Sequence, residues 1–124
     1  MMANNETGVL QDVKKIGELC KKYSSIFHTD VAQSIGTQNI DVVEMNIDAL
    51  SISAHKIYGP KGIGALFAAN SIKNTLRPLM SGGGQEQNLR SGTLSPALCV
   101  GIGEACKDIK AVSYTHLRAH ETFG

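Results

Sequence analysis

The chain has 124 residues, about the length of one domain, and 42% of them are hydrophobic, enough to build a core and too many for a disordered chain. The formal net charge is +1 with Lys and Arg scattered, which gives no electrostatic reason to expect nucleic acid or an anionic membrane as a partner. No apolar run reaches the roughly 18 residues of a membrane span, and the opening MMANNETGV lacks the basic-then-apolar pattern of a signal peptide.

In chain order, Asn4-Asn5-Glu6-Thr7-Gly8 is a turn signal, because Asn and Gly tolerate left-handed backbone. A helix is predicted from about Asp12 to Tyr23, with Asp12 as N-cap and Val13, Ile16, Leu19, Cys20 and Tyr23 on one face. Ser25 to Val31 is β-branched and aromatic and reads as a strand that ends near Asp30, with Gln33 just beyond. Residues 34–39 are loop-like, and 40–46 is ambiguous between loop and helical turn. Asp48 to Ser53 is the next strand. Gly64 to Ala69 follows it too closely for a helical crossover, so the two should pair antiparallel. Residues 80–92 form a long glycine-rich loop. Ser95-Pro96 then opens a helix whose apolar stripe is Cys99, Ile102, Cys106 and Ile109. From Ser113 onward this periodicity fails. The three cysteines, Cys20, Cys99 and Cys106, are odd in number and lack metal-ligand spacing. They fit a reducing cytoplasmic setting and are expected to pack in the core, and no metal site is expected. The pattern of helix and strands gives an α/β class with a mainly parallel sheet and flanking helices.

The chemistry concentrates in ALSISAHKIYGPKGIG, residues 49–64. An apolar strand runs into His55 and Lys56 and then into a loop punctuated by Gly and Pro. A lysine that loses its proton through desolvation or a cationic neighbour can form a Schiff base with pyridoxal phosphate. Ser53 and His55, two apart, would point to one side if the strand stays extended, and would make a phosphate-binding pair. Asp30 ends a neighbouring strand, where α/β sheets place ligands, and could keep a pyridine nitrogen protonated. Gln33 could donate to the ring oxygen. The 81–93 loop brings Arg90, Ser91 and Thr93 together in a donor-rich stretch. GPKGIG fits neither the nucleotide P-loop nor the dinucleotide fingerprint, because a strand rather than a helix follows it. Taken singly, each residue also has an ordinary reading: Lys56 as a surface lysine, Ser53 as a small residue bonded to backbone, His55 as a partly buried histidine, Asp30 as a turn cap, and the 81–93 loop as a solvated connection or subunit contact.

In combination, NNETG at 4–8, FHTDVAQSIG at 27–36, SISAHKIYGPKGIGAL at 51–66 and GGGQEQNLRSGT at 82–93 resemble the cysteine desulfurases of the NifS/IscS type. These are pyridoxal-phosphate enzymes of the class V aminotransferase family. The resemblance covers roughly residues 3–110. It implies part of the large domain of the aspartate-aminotransferase (fold type I) architecture over residues 1–112, with residues 113–124 an unmatched and non-native tail. It also implies Lys56 as the catalytic, cofactor-bearing lysine and Asp30 as the partner of the ring nitrogen. Asn5 and Gln33 would lie at the phenolic oxygen, and Ser53 and His55 at the phosphate. Thr93 would reach the phosphate of a neighbouring subunit's cofactor, hence a homodimer. The implied substrate is L-cysteine, the product L-alanine, and the sulfur leaves as an enzyme persulfide for a sulfur-acceptor scaffold protein of iron–sulfur cluster assembly. Family members are about three times longer. The chain therefore reads as a central fragment, without the loop that carries the persulfide cysteine and inactive alone. A selenocysteine lyase, another class V aminotransferase, and a non-catalytic truncated piece remain the alternatives.

Overall fold

The computed structural model describes residues 1–121, with side chains described as far as residue 109. Its elements are helix α1 (Val13–Lys22), strands β1 (His28–Asp30), β2 (Ala49–Ser53) and β3 (Gly64–Ala68), and helix α2 (Pro96–Glu121). The expected tail at 113–124 lies outside the residues whose side chains are described.

α1 starts where local chemistry predicts. The Asp12 carboxylate accepts from the Lys15 backbone N–H at 3.1 Å, and Lys21 and Lys22 lie in the last turn, where cations meet the helix carbonyls. The Lys15 ammonium also bonds the same carboxylate, which holds Asp12 below the usual carboxylate range. A lowered acid contributes stability that is present above its ordinary pKa and lost as pH falls through the lowered one. Asp12→Ala should therefore lower the melting temperature at neutral pH, and the difference from wild type should vanish in strong acid. Thermal melts by circular dichroism at several pH values read this directly, and a difference that persists unchanged in acid would remove the carboxylate from the account.

The inward face of α1 is narrower than its apolar stripe. Val13 and Gly17 are buried and Cys20 is half-buried, whereas Leu19 and Tyr23 remain 55% and 69% exposed. Gly17 sets this rotation, because a Cβ there would lie 1.9 Å from the Met45 carbonyl oxygen. The helix therefore meets the 41–46 turn backbone to backbone. That turn is held by Asp41, whose Oδ1 accepts from the N–H groups of Val43 and Glu44, both at 2.9 Å.

The sheet order is β1-β2-β3. β1 and β2 are parallel, with Asp30 opposite Ser51; β2 and β3 are antiparallel, with Ser53 opposite Gly64. The α/β class and the antiparallel pairing stand, and over the described residues the sheet is mixed. The predicted first strand shortens to three residues. Phe27 spends its N–H on the Asp48 carboxylate at 2.9 Å and its C=O on the Asp48 and Ala49 N–H groups, which leaves no regular ladder before His28. The crossover from β1 to β2, residues 31–48, contains turns and no helix. On the other side of β1, the Met2 N–H reaches the Asp30 carbonyl at 2.8 Å. The core cluster is Met2, Val13, Phe27, Val31, Ile47 and Leu50, between α1 and the β1–β2 pair.

α2 opens with Pro96 at its first position, and the Ser95 carbonyl accepts from the Cys99 N–H at 3.0 Å. Its inward stripe is Leu98, Ile102, Ala105 and Ile109, so Cys106 is exposed rather than in the core, and Cys20 and Cys99 are half-buried. The helix turns Ala105 inward because its partner is a close-packed loop that admits only a small side chain. Among the described residues, no helix is long and apolar enough to cross a membrane.

Candidate active site

The parallel strands β1 and β2 run side by side and end at the same edge of the sheet. Asp30 closes β1, and Ser53 closes β2. Open α/β sheets bind ligands at this carboxyl edge, where strand ends release side chains from pairing.

After Ser53 the strand does not stay extended. Residues Ala54–Ile57 form a 3-10 turn, ended by Tyr58 in left-handed conformation (φ +63°), with the Gly59 N–H returning to the Ala54 carbonyl at 2.9 Å. His55 therefore does not continue the alternation of β2, and the expected strand geometry for the Ser53–His55 pair is replaced by a strand end plus a helical turn. The turn buries Ala54 and Ile57 and leaves His55 and Lys56 exposed. An extended chain would have sent one of the two toward the core.

α2 holds this turn from behind. A Cβ at Gly59 would sit 3.2 Å from the Ala105 Cβ, and a Cβ at Gly101 would sit 2.8 Å from the Pro60 Cγ. The GPKG stretch is thus a packing device for the lysine turn. Its glycine removes the side chain that would otherwise separate loop and helix.

Asp30 is exposed, and its carboxylate is held at both oxygens. Oδ1 accepts from the Ala32 N–H at 2.9 Å, and Oδ2 accepts from the Ser51 hydroxyl at 3.1 Å. Ser51 was not singled out from the sequence. Its only signal there was its place two residues before Ser53, on the same face of one strand. Gln33 lies exposed in the turn that follows β1.

Asn5 sits in the N-terminal turn, which reaches the same edge through the Met2–Asp30 bond. The turn is tied by Asn4, whose Oδ1 accepts from the Glu6 and Thr7 N–H groups at 3.0 and 2.9 Å, and the Asn5 side chain is left exposed. Asp30 and Ser53 thus close neighbouring strands at one edge, Gln33 follows in the turn after Asp30, His55 and Lys56 follow in the turn after Ser53, and Asn5 lies in the N-terminal turn tied to β1 through Met2.

Thr93 is exposed in the loop before α2, on a different segment of the chain. That loop is tied to itself, with Gly92 N–H on the Gln85 side-chain oxygen at 3.0 Å and Arg90 Nη1 on the Gly92 carbonyl at 3.0 Å. Glu86, Gln87 and Asn88 are all in left-handed backbone, which non-glycine residues keep only where their surroundings over-determine it.

Two cavities, of about 500 and 1390 Å³, lie elsewhere: one beside Ile26, Val42 and Ile47, the other along β3, the 76–94 segment and α2. Neither is lined by any of the seven candidate residues. Asp30, Gln33, His55 and Lys56 are exposed and Ser53 is half-buried, so the strand ends and the turns after them present a carboxylate, an amide, an imidazole, an amine and a hydroxyl.

Comparison with known proteins gives a consistent answer. The family model described as aminotransferase class-V matches residues 1–123. A mitochondrial cysteine desulfurase of Saccharomyces cerevisiae is 58% identical over 110 residues, which is 89% of this chain and 22% of that protein. A solved structure described as SspA in complex with cysteine is 49% identical with a TM-score of 0.82, over 86% of this chain and 30% of that one. A NifS-like protein from Rickettsia africae is 41% identical with a TM-score of 0.82, over 87% of this chain and 29% of its own. The chain thus spans less than a third of the length of each of these three relatives. With the sheet edge, the lysine turn and the match over nearly its whole length in agreement, the chain belongs to the class-V aminotransferase family.

Proposed function

We propose that this chain carries the cofactor-anchoring segment of a pyridoxal-phosphate-dependent cysteine desulfurase. Such an enzyme removes sulfur from L-cysteine, leaves L-alanine, and passes the sulfur as an enzyme persulfide toward iron–sulfur cluster assembly. The observation that carries the reading is that Asp30 closes β1 while Lys56 lies in the turn just beyond β2, the strand paired parallel to it. The names of the relatives, and a bound cysteine in one of the similar structures, support the substrate.

The residues present fit the cofactor by their chemistry. Lys56 offers an exposed amine to hold it, and Ser53 and His55 offer donors for its phosphate. Asp30 presents a carboxylate already bonded from two sides, which leaves lone pairs for a ring N–H. Gln33 and Asn5 would donate at the phenolic oxygen. Bound pyridoxal phosphate supplies an electron sink for charge that develops at the substrate α-carbon. Lys56 would move the proton at that carbon, and Asp30 would keep the ring nitrogen protonated while it does so.

We also propose a homodimer in which Thr93 serves the partner's cofactor phosphate. The resemblance of the 82–93 segment to the family supports this. A scaffold protein would receive the sulfur. None of Cys20, Cys99 and Cys106 is assigned the persulfide, since they lie on α1 and α2 rather than at the site edge. The 124-residue chain alone is not expected to turn over, and residues 113–124 are proposed to lie outside its functional part. Free cysteines pointed to the cytoplasm. With the yeast relative named mitochondrial, we propose a reducing compartment, with the mitochondrion alongside the cytoplasm.

The test is chemical labelling. The chain is incubated with pyridoxal phosphate, reduced with borohydride, digested, and mapped by mass spectrometry. A pyridoxyl group concentrated on Lys56, with Lys61 and the α1 lysines largely free, is the expected result. Even labelling of all lysines, or none at Lys56, would sink the assignment.

A further inference from the structure

We infer that Ser51 is a positioning residue for the cofactor's ring nitrogen, acting through Asp30; this rests on the proposed pyridoxal-phosphate reading. The Ser51 hydroxyl donates to Asp30 Oδ2 at 3.1 Å across twenty-one residues of sequence. The other bond to this carboxylate, from the Ala32 N–H to Oδ1, is a local turn contact of the kind Asp makes with the backbone two residues on. That contact alone would explain an Asp that caps a turn. It would not explain a second anchor from the neighbouring strand.

The parallel register supplies the second anchor. Asp30 lies opposite Ser51, and the Val31 N–H reaches the Ser51 carbonyl at 3.0 Å. Backbone and side chain of Ser51 therefore bracket the end of β1. A carboxylate has about four acceptor positions. Two are taken by donors fixed in the fold, one on each oxygen, so the group is held in one plane while its outer lone pairs stay open to solvent. Asp30 is exposed, and an exposed aspartate otherwise samples several side-chain rotamers. Holding an exposed charge in one orientation serves no packing need. It does serve a ligand N–H that must meet the carboxylate in line. Charge-assisted hydrogen bonds depend on such alignment.

Ser51 and Ser53 then divide the work of one strand face. Ser53 ends β2 beside the lysine turn and is assigned to the phosphate, whereas Ser51, one step back, sets the carboxylate for the opposite end of the cofactor.

The experiment uses the 124-residue chain and its Ser51→Ala and Ser51→Thr variants, with pyridoxal phosphate labelled with nitrogen-15 in the ring. Three readouts are taken. The first is the Asp30 χ1 rotamer from scalar couplings without cofactor. The second is the dissociation constant for the cofactor. The third is the ring-nitrogen chemical shift once bound, which reports its protonation. In wild type we expect one dominant Asp30 rotamer and a protonated ring nitrogen. Ser51→Ala should give averaged couplings, about three- to tenfold weaker binding, and a ring-nitrogen shift moved toward the unprotonated form. Ser51→Thr keeps the hydroxyl and should restore all three. A merely structural serine would change none of the ring-nitrogen signal.

If wild type binds and labels at Lys56 while Ser51→Ala matches it in rotamer and ring-nitrogen shift, this inference alone is overturned. If wild type takes no cofactor at Lys56, the proposed function fails and the inference fails with it. Circular dichroism spectra that superimpose for the three proteins show that any difference is not a loss of fold.

Discussion

Replacing Lys56 with alanine is expected to cut cysteine desulfurization by roughly a thousandfold or more. The measurement is alanine released from L-cysteine, in a chimera where residues 1–112 replace the matching segment of the yeast relative. The size of the effect follows from two proposed jobs on one atom, since the same amine would hold the cofactor and move the proton at the substrate α-carbon. An exposed lysine with no structural partner should contribute little to folding, and surface substitutions of this kind usually change stability by about 0.5 kcal/mol or less. Lys56 is exposed on a turn whose buried residues are Ala54 and Ile57, so the variant should melt with wild type. Lys61, five residues on and also exposed, is the matched control and should retain turnover. Equal rates for wild type and Lys56→Ala would end the assignment.

Gly17→Ala should destabilise the fold by about 2 kcal/mol or more. Two effects oppose each other. Alanine is favoured over glycine in a helix interior by about 1 kcal/mol, which would make the substitution stabilising on an open face. Here the new Cβ would stand 1.9 Å from the Met45 carbonyl oxygen and 3.0 Å from its carbon. Those are backbone atoms, held by the Met45 N–H bond to the Asp41 carbonyl at 2.9 Å, so no side-chain rotation relieves the contact. Either α1 lifts from the core or the 41–46 turn gives way, and each exposes the Val13 and Cys20 side of the helix. Urea titration should show a lower midpoint with an unchanged slope. Glu18→Ala, on the solvent side of the same helix, should be close to neutral. A Gly17→Ala protein as stable as wild type would mean that the helix and turn are not in contact as described.

Local chemistry made some elements legible in the sequence. The Asp12 cap, the Ser95-Pro96 helix start and the close succession of β2 and β3 each depend on residues within a short window, and each was placed to within a residue or two. What failed depended on partners far along the chain. The apolar arc of α1 was clear, but which part of it faces inward was decided by Gly17 meeting Met45, and a glycine gives no hydrophobic signal. Cys106 looked like stripe and Ala105 did not, because the loop that α2 packs against, with Gly59 and Pro60, rewards small size. Strand alternation beyond Ser53 was a reasonable extrapolation, and the 3-10 turn overrode it. That Asp30 and the end of β2 share one edge was legible, because strand ends in a parallel pair coincide, whereas the roles proposed for Gln33, Ser53, His55 and Lys56 rest on the resemblance of their motifs. Ser51 could be seen only once the register of β1 against β2 was known.

The sheet has one near pairing and one distant one, and this bears on the order in which it is built. β2 and β3 are joined by residues 54–63, whereas β1 must close the 31–48 segment before it can pair with β2. Closing a longer loop costs more chain entropy, and non-local contacts tend to arrive later in folding. The hairpin that fixes the lysine turn should then be in place at the rate-limiting step, with Asp30 delivered afterwards. Kinetic φ-values should be high for Leu50→Ala paired with Phe67→Ala and low for Val31→Ala, and the reverse order would refute the sequence of events. The two ends of the proposed cofactor site would in that case mature separately, and slow docking of β1 would delay the competence of a lysine already in position.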